Sequence, residues 1–314
     1  MTSGATAKDW LIYSSASFAL FMAGLFFPFF TLPLMLIYPV PIILLTFEHG
    51  AVWGFFSSFF ISFLLLLMLP PVFSIVYFFT LGLSGVLLGV AARRTKGGET
   101  VFLGVAFAIL CAITAAFMSA WITGENLLFP DPVKMEEALL AFWEPRLSSL
   151  PGESAVFRAN LSKAVDYFVT YIPCGLIIFS SAEVLSSYSL ASYIHARRSE
   201  EKFFSLPPFS SWAFPKNVLF ALAVGVLFQI AAGDNADMFL LRQAGANLNA
   251  VTRFIFAIQG LAAACFFMEN RGFPKFARVV MIVLVPIVTV LENIFAIVGI
   301  ADMGFDLRKR ARRK

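Results

Sequence analysis

The sequence predicts an all-α polytopic membrane protein, a fold class indicated by its composition and by the placement of its charges. Of its 314 residues, 60% are hydrophobic and 13% are charged, whereas a soluble domain carries roughly 25% charged residues. Between Asp9 and Arg93, the only acidic or basic residue besides a histidine is Glu48. Such apolar stretches suit a bilayer, where a spanning helix needs about 20 apolar residues and satisfies its own backbone hydrogen bonds.

Nine apolar segments follow one another along the chain, and we expect about eight transmembrane helices. The second segment contains Pro39 and Pro41. Because proline removes a backbone donor and clashes with the preceding turn, we expect that segment to be kinked or partly unwound. The nine segments are Trp10–Phe30, Thr31–Phe47, Ala51–Leu69, Val72–Ala92, Thr100–Thr123, Val165–Ile194, Ala213–Gly233, Asn249–Met268 and Val279–Phe305.

Basic clusters suggest how the segments are oriented. Arg93–Lys96 and His195–Lys202 are separated by two segments, so both can lie in the cytoplasm together with the N-terminus. The clusters Arg271–Arg278 and Arg308–Lys314 are separated by a single segment. We therefore expect eight crossings with a cytoplasmic tail, the last segment being re-entrant or broken near Pro286. The alternative is nine crossings with an external tail.

The long loop at residues 124–166, external in this topology, has amphipathic character. Met135, Leu139, Phe142 and Trp143 recur at helical spacing, with charged residues on the opposite face. A second apolar pattern follows the Pro-Gly break at residues 151–152. We expect one or two amphipathic helices here, which either connect two spans along the membrane surface or form a lid over a ligand site.

Three motifs resemble one known family. They are the stretch Tyr38–Gly50, the glycine pattern Gly82–Gly89 followed by Arg93 and Arg94, and the ending Gly299–Arg310. Together they resemble the YybS-like (DUF2232) family of bacterial membrane proteins over nearly the whole chain.

This resemblance implies an architecture of two parts. Residues 1–197 would form a six-helix core similar to the substrate-binding S-components of energy-coupling-factor vitamin transporters and to the rod-shape protein MreD. Residues 198–314 would add C-terminal membrane helices and a basic cytoplasmic tail, which S-components lack. S-components contact their partner through small residues on helix one, and Ser15, Ala19 and Ala23 form such a small-residue stripe here.

Several polar residues interrupt the apolar segments, where an ionisable group costs about 2.5–3.5 kcal/mol on insertion scales. One hypothesis is that they line a polar ligand cavity. The alternative is that they only join helices through hydrogen bonds, each worth on the order of 1 kcal/mol. These residues are Glu183, Gln229, Arg253, Gln259 and Glu292.

Two shorter features have a functional and a structural interpretation. Glu48 and His49 are either a proton-sensitive or ligand-contacting pair, or a polar turn in which Gly50 makes the corner. Gly85 and Gly89 form a GxxxG pattern that lets two helices approach closely, or else borders a ligand groove.

The basic tail fits an orientation signal and an anchor for anionic lipids, with nucleic-acid contact as the alternative. Since the net charge of +4 comes largely from this tail, we expect no specific nucleic-acid binding. Just before it, Asp302 and Asp306 are one helical turn apart, and we expect them to pair with Arg308 or Arg310.

Other classes of function are disfavoured by what the sequence lacks. It contains no P-loop, no HExxH and no GxSxG motif. Cys111, Cys174 and Cys265 lie in separate segments, and only two histidines are present. We therefore expect no ATPase or other enzyme activity, no catalytic residues, no metal site and no cofactor.

The leading hypothesis is a module of the bacterial cytoplasmic (inner) membrane that binds or helps to move a small solute or a lipid-like ligand. The alternative is an MreD-like scaffold that acts through a membrane protein partner or a homo-oligomer. Transport predicts that Glu183 and Glu292 line a solvent-reachable cavity. A scaffold predicts that both are buried in helix contacts and that the small-residue stripe faces outward.

Overall fold

In the computed structural model, every regular element of the described residues is helical, which confirms the all-α class. Within that part of the chain, seven helices are long and apolar enough to cross a membrane, and Val218–Ala232 is a shorter apolar helix. The protein is therefore a polytopic membrane protein. The structure describes residues 3–124, 126, 128, 130–147, 154–198, 203, 205–233, 235–285 and 289–311.

The chain divides into two compact units. The first contains Met1–Val169 and Phe179–Leu206, and the second contains Thr170–Ile178 and Pro207–Lys314. The helices of the first unit are α1 (Ser3–Phe26), α2 (Thr31–Met35), α3 (Val40–His49), α4 (Ala51–Met68), α5 (Pro71–Val76), α6 (Ser84–Arg94), α7 (Gly97–Thr123), α8 (Pro132–Leu147) and α9 (Ser154–Ala196), of which α9 also supplies the second unit's first segment.

Helix α3 is the centre of the first unit. The second apolar segment is interrupted by a turn at residues 36–39, and α3 begins directly after Pro39. This break confirms the expectation from the two prolines, because proline fits the first turn of a helix but kinks or breaks a helix interior. Every residue from Val40 to Phe47 is buried.

The amphipathic loop is helical, but its second part is not a separate helix. Helix α8 contains the first apolar pattern, whereas the second belongs to α9, a single helix of 43 residues. At 1.5 Å per residue, α9 is about 64 Å long and exceeds the roughly 30 Å hydrocarbon core. The side-chain pattern after residue 154 therefore extends a membrane helix.

Helices α10 (Val218–Ala232), α11 (Phe239–Asn270), α12 (Lys275–Leu284), α13 (Thr289–Phe305) and α14 (Leu307–Ala311) form the second unit. Helices α11 and α13 cross closely at Gly260 and Gly299, where an added Cβ would overlap the backbone of the other helix. Arg253 bonds to Asn293, and Gln259 bonds to Asp302. From the first of these contacts to the second, the residue number increases on both helices. Helices α11 and α13 therefore run parallel.

In the last apolar segment, α12 ends at Leu284 and α13 begins at Thr289, and Pro286 lies outside the described residues. Because the two helices are parallel, the chain must return from the end of α11 at Asn270 to the level at which α11 began before α13 starts at Thr289. The ends of α11 and α13 consequently lie together.

Contacts at that end confirm the arrangement. Oε1 of Glu269 lies 3.1 Å from Nη1 of Arg278, and its Oε2 accepts a hydrogen bond from Ser210 at 2.7 Å. Arg308 in turn donates to the carbonyl oxygen of Ser210 at 3.0 Å. Arg278 and Arg308, one from each of the last two basic clusters, therefore lie at the same end of the second unit.

Candidate functional site

Glu48 is the centre of a polar network at the end of α3. Its Oε2 accepts a hydrogen bond from the hydroxyl of Tyr13 on α1 at 2.8 Å, and its Oε1 lies 3.2 Å from Nδ1 of His195 on α9. Arg198 donates to the Tyr13 oxygen at 3.2 Å. One carboxylate thus joins three helices of the first unit.

His49 and the backbone beside it have their own partners. Nε2 of His49 lies 3.0 Å from Oδ2 of Asp9 on α1. Arg93 at the end of α6 donates to the carbonyl oxygen of Glu48 at 3.1 Å, which satisfies one of the carbonyls that a helix leaves unpaired at its C-terminus. Gly50 makes the corner with a φ of +102°, a conformation that suits glycine.

His195 is the most deeply buried member of this network, with 1% of its surface exposed. Its ring lies 4.9 Å from the Phe47 ring and 5.7 Å from the Phe203 ring, measured between centroids. Among the described residues, its Nε2 has no hydrogen-bond partner. The network thus combines a carboxylate with a buried imidazole whose second ring nitrogen has no partner among the described residues.

The sequence identified Glu48 and His49 but missed most of their partners. Tyr13, His195 and Arg198 come from elements that are distant in the chain. The one available signal was the expected topology. It places the start of α1, the end of α3 and the end of α9 on the same side of the membrane. Whether the pair senses protons, contacts a ligand or only closes the turn stays a prediction.

The five residues predicted to line one cavity are divided between the units. Glu183 belongs to the first unit and is 4% exposed, next to the apolar core residue Val184. Gln229, Arg253, Gln259 and Glu292 belong to the second unit. A common cavity for all five stays a prediction.

Within the second unit, three of the four remaining residues have polar partners from other helices. Oε1 of Gln229 accepts a hydrogen bond from Asn249 at 2.8 Å, and Arg253 donates to Asn293. The Gln259 amide donates to Oδ2 of Asp302 at 2.6 Å, and its oxygen accepts from the backbone of Phe214 at 3.0 Å. Glu292 is half-buried on α13.

The second unit contains a cavity of about 310 Å³ near the end of α13. This volume is at the lower end of the range of small-molecule sites, roughly 300–1,000 Å³. Gln259 is the member of the predicted set that lines it. The lining residues are Ser211, Ala213, Phe214, Pro215, Lys216, Gln259, Asp302, Met303, Asp306, Arg308 and Lys309.

Two ion pairs border the cavity. Nη2 and Nε of Arg308 lie 2.8 and 3.0 Å from Oδ2 of the buried Asp302, which confirms the expected pairing for Asp302. Asp306 instead pairs with two lysines, Lys216 and Lys309. Nζ of Lys216 lies 2.8 Å from Oδ2 of Asp306, a contact that the sequence did not suggest. The hydrogen bond from Lys216 is the main reason that the pKa of Asp306 lies below its ordinary value.

The two small-residue patterns differ in their surroundings. Ser15 and Ala19 are exposed and Ala23 is half-buried, so the small-residue stripe faces largely away from the fold. Gly85 and Gly89 instead pack against α3, where an added Cβ at Gly89 would lie 2.9 Å from the carbonyl oxygen of Ile43. These glycines therefore serve a helix contact inside the chain.

Within the described ranges, no three His, Cys, Asp or Glu side chains are grouped so that they could hold a metal ion. Cys111, Cys174 and Cys265 are all buried free thiols. The polar groups described above belong instead to the α3 network and to the charged cavity of the second unit.

Comparison with known proteins identifies the family. A family model described as "Predicted membrane protein (DUF2232)" matches residues 15–303. The chain is 23% identical over 283 residues to "Uncharacterized protein YybS" of Bacillus subtilis (strain 168), which covers 87% of this chain and 88% of that one. No solved structure matches the chain. The family match takes in both Glu48 and the cavity residue Asp302, and the chain belongs to the DUF2232 family of membrane proteins.

Proposed function

We propose that this protein binds a small solute or a lipid-like ligand and acts as a transport-related module without an ATPase or other catalytic activity of its own. The cavity of the second unit carries this proposal. It combines charged side chains with an aromatic and aliphatic lining, as sites for small amphipathic molecules do. Any energy coupling comes from a separate subunit.

In this proposal, the protein lies in the bacterial cytoplasmic (inner) membrane with its N-terminus and its basic tail in the cytoplasm. The shared end of α11 and α13 supports that orientation, because it collects Arg278 and Arg308 on one side. Clusters of Lys and Arg are retained on the cytoplasmic side of bacterial membranes.

A scaffold role is the second candidate, with a membrane protein or a second copy of the chain as partner. Two observations favour it: Ser15 and Ala19 are exposed on α1, and Glu183 is buried. Small residues on an outward helix face allow another helix to approach closely in a bilayer.

One pair of variants separates the two functions. Ala213→Trp fills the cavity without changing its charge, and Ala19→Trp blocks the small-residue stripe. Both proteins are purified in nanodiscs and analysed by native mass spectrometry. Ligand binding predicts that Ala213→Trp loses a small molecule or lipid that the wild type and Ala19→Trp retain. A scaffold predicts that only Ala19→Trp loses a protein partner.

A further inference from the structure

The cavity of the second unit presents cations at its mouth. The side chains of Lys216 and Lys309 are 55% and 79% exposed, whereas that of Arg308 is only 11% exposed. Apolar side chains complete the lining, and among them Met303 is buried at 3% exposure. The cavity therefore offers exposed ammonium groups next to an apolar surface.

The charges of this lining favour an anion. The carboxylate of Asp302 already has partners within the protein, because it accepts hydrogen bonds from both Arg308 and Gln259. Lys216 and Lys309 share the carboxylate of Asp306 at 2.8 and 3.5 Å. Each ammonium carries three donors, so both lysines keep donors for a further acceptor.

The position of the cavity indicates where such an anion comes from. Helix α11 is a candidate membrane span that ends at Asn270, and Glu269 at this end is linked through Ser210 to Arg308. The phosphate groups of lipids lie where spanning helices leave the hydrocarbon core. Basic side chains at this depth attract anionic lipids.

We propose that the cavity holds the phosphodiester headgroup of an anionic phospholipid. Lys216 and Lys309 donate to its phosphate oxygens, and the apolar lining around Met303 contacts the beginning of its acyl chains. This inference rests on the ligand-binding function proposed above and specifies the class of ligand for the same cavity.

The test measures lipid retention by native mass spectrometry of the full chain in detergent, with phosphatidylglycerol or phosphatidylcholine added. The variant is Lys216→Gln with Lys309→Gln. A matched control, Arg94→Gln with Lys96→Gln, removes two exposed positive charges from the first unit. At about 1 kcal/mol per lysine, we expect phosphatidylglycerol to bind about 30-fold more weakly to the cavity variant.

Retention of phosphatidylglycerol over phosphatidylcholine by the wild type and the control, with loss in the cavity variant, supports the proposal. Equal loss in both variants overturns it, because general surface charge then explains the binding. Glycerol 3-phosphate is added as a soluble phosphate. If it binds while phosphatidylglycerol is not preferred over phosphatidylcholine, the phosphate does not come from a lipid and the proposal is overturned.

The inference and the proposed function fail in different ways. An uncharged molecule that is displaced by Ala213→Trp but not by the lysine substitutions overturns the phospholipid and leaves ligand binding intact. A cavity that retains neither lipid nor solute in the wild type overturns both. Thermal unfolding of each variant, compared with the wild type, verifies that the proteins are folded.

Discussion

Oε1 of Glu48 lies 3.2 Å from Nδ1 of His195, although 147 positions separate the two residues. The same carboxylate accepts a hydrogen bond from Tyr13. Three helices of the first unit, α1, α3 and α9, thus converge on one acidic side chain. Glu48, an isolated carboxylate in a highly apolar stretch of sequence, thus has partners that are distant in the chain.

Substitution Glu48→Ala is expected to destabilise the protein. It leaves the Tyr13 hydroxyl and the buried His195 without their acceptor, and an unsatisfied buried polar group costs about 1–3 kcal/mol. Thermal unfolding in detergent, followed by tryptophan fluorescence, measures the effect. Glu99→Ala removes an exposed carboxylate at the start of α7 and serves as the control. Equal melting temperatures for the two variants would contradict this role of Glu48.

The close crossing of α11 and α13 predicts a strong effect of a single methyl group. Substitution Gly299→Ala places a Cβ against the carbonyl of Phe256, so the helices must separate. Overpacking of this kind costs about 1–3 kcal/mol. Gly304→Ala, on the same helix, meets no atom within 4 Å and is expected to unfold like the wild type. The crossing is not as tight as described if both variants have the wild-type melting temperature.

The parallel direction of α11 and α13 predicts that the last two basic clusters lie on one side of the membrane. Cysteines introduced at Phe273 and Arg310 should react with an impermeant maleimide from the same face of oriented vesicles. A cysteine at Asn235, beyond the other end of α11, should react from the opposite face. The native thiols are buried, so the wild type provides the blank. Labelling of Phe273→Cys and Arg310→Cys from opposite faces would instead indicate nine crossings.

The sequence was sufficient for features that depend on local composition. Apolar segments could be located because burial in lipid is decided residue by residue, and Pro39 marked the break before α3. The pairing of Asp302 with Arg308 was also accessible, because the partners are six positions apart and flank a helix end.

Features that depend on how helices pack were not accessible. Charge counting left two topologies for the tail, since it contains no information on the direction of α13 relative to α11. Lys216 was missed because its partner, Asp306, is 90 positions away. Glu183 and Glu292 were grouped because each is an isolated carboxylate in an apolar segment; they belong to different compact units, and their common cavity stays a prediction.

The pair of Lys216 and Asp306 predicts a pH dependence of stability at acidic pH. The pKa of Asp306 is lowered in the folded protein, mainly by the hydrogen bond from Lys216. A carboxylate with a lowered pKa stabilises the fold above its unfolded pKa, about 3.9, and this contribution disappears as the pH falls through the folded value. The melting temperature of Lys216→Gln should therefore lie below that of the wild type at pH 6, and the difference should shrink below about pH 4. In an Asp306→Asn background, Lys216→Gln should have no pH-dependent effect, because the titrating group is gone. A difference that is constant from pH 6 to the acid end would show that Lys216 stabilises the protein by another contact.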